Sequence, residues 1–152
     1  MAAGIAIAGL ATGLIDLLGA FSSYVPHGAT ELGVLKYIAS GLLGAPALRG
    51  GPAIAAIGLL VHCGLTTVMA ALYFAVAWAL PAANRRPWLY GAAYGVLTFV
   101  AMVYVAVPLS GAPGWKYPMG WDIVSGLLAH IFYVGIPISH LARHFTTRSE
   151  SS

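Results

Sequence analysis

The sequence predicts an all-α integral membrane protein, a four-helix bundle with a short interfacial or re-entrant helix between spans one and two. Two observations predict it. Of 152 residues, 60% are hydrophobic and 7% charged, against about 25% charged in a soluble domain. Four runs also reach the roughly 20 mostly apolar residues that a helix needs to cross a hydrocarbon layer. Seven Lys and Arg with four Asp and Glu would leave most of a water-facing surface apolar. Lipid accepts such a surface and demands only that backbone groups be paired internally. The length suits one membrane domain, 1–152, with the lipid bilayer as its first partner.

The first run, 3–25, stops at Pro26, His27 and Gly28. It lacks a basic leader and outruns a signal-peptide core, so a retained helix is expected. In the next segment, 31–48, the apolar core is interrupted by Lys36 and broken by Pro46. That is short for a span and suits an interfacial or re-entrant helix. The second run, 52–81, starts behind Gly50 and Gly51, and prolines at 81 and 87 separate it from the third, 87–110. The Gly/Pro-rich stretch SGAPGWKYPMG leads to the fourth, 120–142, which Pro137 is expected to kink and Asp122 to cap.

Arg85 and Arg86 lie between spans two and three, and Arg143 and Arg148 follow span four, so these basic residues share one side; Lys36, Arg49 and Lys116 fall on the other. The paired arginines occupy the tightest loop, where positive charge sets orientation best, which predicts both termini in the cytoplasm. Trp78 and Trp88 flank that loop, while Trp115, Tyr117 and Trp121 gather at the opposite interface. Amphipathic rings favour such boundaries.

The formal charge of +3 comes from scattered residues, with no basic stripe, so nucleic acid is not an expected partner. The lone Cys63 lies inside an apolar run and allows no internal disulfide. No HExxH or CxxC motif is present, and Ser125 and His130, five apart on a helix, point different ways. No catalytic residues and no metal site are assigned, and enzyme activity is not favoured.

Helices in lipid associate through small residues and polar contacts. Gly9 and Gly13 in span one and Gly91 and Gly95 in span three form GxxxG pairs. These stripes should face protein, within the monomer in preference to a homo-oligomer or a membrane-protein partner. Ionisable groups inside spans are functional candidates by default. Asp16 lies nine residues from Val25, His62 ten from Pro52 and His130 nine from Trp121. At about 1.5 Å per residue all three sit roughly 13–15 Å below one surface, near mid-membrane. Equal depth permits one buried polar cluster, with Thr66 and Tyr104 as further members. A carboxyl group at that depth should either be protonated or find a donor, and histidine is the partner on offer.

From 65 to 145 the order of motifs is VAWALPAANRRPWLYGAAYGVL, VAVPLSGAPGWKYP and WDIVSGLLAHIFYVGIPISHLARHF. It resembles the YagU-like family of small bacterial inner-membrane proteins. The resemblance implies an inner-membrane location and a role connected with envelope or acid-stress physiology. It brings no established catalytic residues, and His130 falls where the family has a histidine in its last helix. The first half of the chain matches less well.

The favoured function is a small structural or accessory membrane protein with a buried Asp/His cluster, responsive to pH because histidine titrates near neutrality. One alternative is a proton or small-solute transporter using those residues as a relay. Another is an electron carrier in which His62 and His130 supply both axial ligands of a b-type haem; no cofactor is required by the favoured reading.

Overall fold

The structure, a computed structural model, describes residues 1–148. The C-terminus, expected on the cytoplasmic side, and the Arg148 side chain lie outside the described residues. Those described form helices and connecting turns, with no strand among them. Four helices are long and apolar enough to cross a membrane: Ala2–His27, Pro52–Ala79, Pro87–Leu109 and Trp121–Thr146.

Helix α1 covers Ala2–Tyr24 and ends in a 3₁₀ turn, Val25–His27, closed by Gly28 at φ 94°. The Thr30 hydroxyl then accepts from Gly33 N–H and starts α2, Glu31–Leu43. Its 13 residues are fewer than the roughly 20 a crossing requires. A second 3₁₀ turn, Ala45–Arg49, leads to α3, Pro52–Ala79. After α3 come the short α4, Pro81–Arg85, and α5, Pro87–Ala101. Prolines open α3, α4 and α5, where the missing N–H costs nothing because the first turn has no intrahelical acceptor for it.

The third long helix is not α-helical throughout. Met102–Ala106 forms a π turn, in which Val107 N–H bonds the Met102 carbonyl five residues back, before α6, Val107–Leu109. The fourth repeats the device: α7, Trp121–Ala129, passes through a π turn, His130–Gly135, into α8, Ile136–Arg148, with Ile136 N–H on the Ile131 carbonyl. At Pro137, where the sequence predicts a kink, the preceding turn is widened. Proline cannot donate to the carbonyl four residues back and its ring crowds that carbonyl, so the turns before Pro108 and Pro137 shift their bonding by one residue.

The start of α7 also differs from expectation. Gly120 is its N-cap, at φ 56°, with no side-chain cap bond, and Asp122 lies inside the first turn. There it still meets the positive end of the helix dipole.

Packing centres on α3, which touches α1, α2 and α8, while α8 also lies against α1 and α5. The core is Ala8, Ala70, Tyr73, Phe74, Ala77, Val134, Ile138 and Ala142. The glycine stripes meet partners within the chain. A Cβ at Gly13 would come 2.6 Å from Thr66 Oγ1, and one at Gly9 would strike Thr67. Gly91 and Gly95 face the π turn of the fourth helix, where a Cβ on Gly95 would lie 2.7 Å from the His130 carbonyl oxygen. Large apolar side chains such as Leu14, Leu60, Leu72 and Leu97 are exposed on the outside of the bundle.

Candidate polar site in the bundle interior

Asp16 on α1, His62 on α3 and His130 at the start of the second π turn line one cavity of about 40 Å³. A single water needs about 10–15 Å³ of such space, so the cavity has room for water among the three side chains. Thr66 and Met69 from α3, Met102 from the first π turn and Val134 from the second complete most of its wall. Both π turns therefore border the site. A widened turn packs less closely than an α turn, which is a physical reason for a cavity at this level.

The Asp16 carboxyl group faces His62. Its Oδ2 lies 3.6 Å from His62 Nε2, with the two side chains 21% and 14% exposed. The same Nε2 is 2.9 Å from the Gly13 carbonyl oxygen. A ring nitrogen at hydrogen-bond distance from a carbonyl must carry the proton, so Nε2–H donates to Gly13. Gly13 makes this possible, because the small residue that lets α1 and α3 approach also leaves its carbonyl open to the ring.

His130 reaches the cavity differently. Its Nδ1 is 2.9 Å from the Gly126 carbonyl one turn back, which makes Nδ1 the donor and leaves Nε2 open. The Phe99 ring stands edge-on to the imidazole, with centroids 5.4 Å apart. Asp16 interacts electrostatically with both His130 and His62. Thr66, 3% exposed, donates its hydroxyl to carbonyls of its own helix, His62 and Cys63.

Tyr104 stands apart from these residues. It is 45% exposed and stacks on Tyr117 at 5.6 Å. Five residues from Leu109, it belongs to the end of its helix and not to the middle. Sequence reading also passes over the π turns, although a signal exists: Tyr104–Ser110 (YVAVPLS) and Tyr133–Ser139 (YVGIPIS) repeat one pattern. No group of three His, Cys, Asp or Glu suited to a metal ion occurs among the described residues. No family model matches the sequence, and no curated protein or solved structure is similar to it.

Proposed function

We propose that this chain is a multi-pass protein of a bacterial inner membrane, structural or accessory in type, whose Asp16–His62–His130 cluster takes up and releases a proton. Bundle stability then follows pH. The observation that carries this reading is the Asp16–His62 pair, 3.6 Å apart, beside a water-sized cavity that His130 also lines. The exposed apolar exterior supports membrane residence. The positions of Arg85 and Arg86 support cytoplasmic termini. The bacterial inner membrane and the tie to acid stress rest on reading the motif order over 65–145 as YagU-like.

A b-type haem between His62 and His130 has less support. The cavity measures about 40 Å³, and His62 Nε2 is turned to the Gly13 carbonyl. For the same reason of size, a proton fits the site better than a larger solute.

The test is the melting temperature of detergent-purified protein across about pH 5–8, the range in which histidine titrates. Wild type is expected to shift by about 2–4 °C for each kcal/mol of linked protonation, and Asp16→Asn to lose that share of the shift. His27, His140 and His144 are common to both proteins and cancel in the difference. Parallel profiles for the two proteins would count against the cluster as the titrating group.

A further inference from the structure

Between the cavity and the Arg85/Arg86 end, each of the four long helices contributes a hydroxyl: Thr12, Tyr73, Tyr94 and Ser139. Thr12 lies one turn from Asp16, and it, Tyr73 and Ser139 are 0%, 1% and 1% exposed. Tyr94 donates its hydroxyl to the carbonyl of Met69, 2.7 Å away, and Met69 lines the cavity. The Tyr94 and Tyr73 rings meet edge to face at 5.1 Å.

The Tyr73 hydroxyl faces Ser139, yet neither it nor Thr12 Oγ1 has a hydrogen-bond partner. Ser139 Oγ shares its hydroxyl between the Pro87 carbonyl at 2.9 Å and the Ile136 carbonyl of its own helix at 2.8 Å, and lies 3.4 Å from His140 Nδ1, which is itself 3.0 Å from the Ile136 carbonyl. The His140 ring in turn stands against Trp88, centroids 4.5 Å apart, beside the arginine loop. Unpartnered hydroxyls in an apolar interior are costly, and water is their usual partner.

In the opposite half of the bundle the serines make no bond to another helix among the described residues. Ser22, Ser23 and Ser125 give their hydroxyls to carbonyls of their own helices, and Phe99 covers His130. The bridging hydroxyls thus lie on one side of the cavity.

We propose that protons reach and leave the Asp16–His62–His130 cluster from the Arg85/Arg86 end, along His140, Ser139, Tyr73 and Thr12, with water closing the gaps at the two unpartnered hydroxyls. The route rests on the reading of the cluster as titratable. In each step one oxygen or imidazole nitrogen accepts a proton and releases another onward, so one proton is moved and nothing is oxidised or reduced. The titratable groups facing the cavity are Asp16 from α1, His62 from α3 and His130 from the fourth helix, while the third offers Met102. Tyr90 and Tyr94 adjoin the route, with Arg143 one turn beyond His140.

Time-resolved infrared spectroscopy after a pH jump, on the full chain in detergent, tests this. The signal is the protonated-carboxyl band that Asp16→Asn removes. Tyr73→Phe and Ser139→Ala are each expected to slow its rise at least ~10-fold at unchanged final amplitude, as loss of one positioned proton carrier does in acid–base catalysis. Tyr104→Phe, off the route, should keep the wild-type rate. Wild-type rates in both Tyr73→Phe and Ser139→Ala would overturn the route while leaving the cluster intact. Absence of any Asp16-dependent band in wild type would overturn the cluster and the route with it.

Discussion

Gly135→Val is expected to lose the folded bundle or to lower its stability by about 3 kcal/mol or more, at or beyond the upper end of ordinary overpacking. A Cβ at Gly135 would strike the Gly91 carbonyl oxygen and come 2.6 Å from Gly95 N. Both obstacles are backbone, so no side chain can rotate away, and the third and fourth helices must part. In melting temperature the loss is about 6–12 °C, read on detergent-purified protein. Gly64→Ala is the matched control, because nothing lies within 4 Å of a Cβ there, and it should stay within about 0.5 kcal/mol of wild type. Gly135 closes the π turn that His130 opens, so a folded remnant of the variant should also lose the Asp16-dependent part of the pH response. A melting temperature equal to that of wild type would show that the two helices are not in backbone contact.

Gly58→Val is expected to release α2 from the bundle, at about 2–3 kcal/mol. A Cβ at Gly58 would strike the Leu35 carbonyl oxygen, with Leu35 C at 2.7 Å and Ala39 N at 3.3 Å. Away from α3, α2 is tied by Gly111 N–H on the Gly41 carbonyl at 2.8 Å and lies against α1 over a smaller contact. Trypsin should therefore cut faster at Lys36 and Arg49 in the variant while the four long helices stay assembled. A wild-type cleavage rate would mean that α2 is held by something other than its seat on α3.

The lengths of the four apolar helices were legible because lipid-scale runs of Ala, Leu, Ile and Val leave little else to read. The fourth extends beyond the expected 142, to Thr146, because Phe145 packs over Gly4 and the basic residues of the last turn suit its dipole. Asp16, His62 and His130 could be grouped because counting residues from a helix end gives depth, and depth alone allows a meeting. Depth says nothing of direction. Which ring nitrogen faces Gly13 follows from how α1 packs on α3, which no spacing records. Tyr104 was grouped with the cluster although five residues from Leu109 put it at a helix end. The π turns were hidden for another reason: they change the bonding register without changing composition, and only the YV(A/G)(V/I)P(L/I)S repeat betrays them. Those turns decide that His130, Val134 and Met102 share a wall with Asp16.

A double-mutant cycle between Asp16→Asn and His62→Gln, read as stability in detergent, bears most directly on the polar site. Coupling of about 0.6–1.7 kcal/mol, the range found for polar contacts between membrane helices, is expected if the carboxylate and the imidazole hold one another at mid-bundle. Additive effects within about 0.3 kcal/mol would show that the two side chains do not interact and would contradict the paired site.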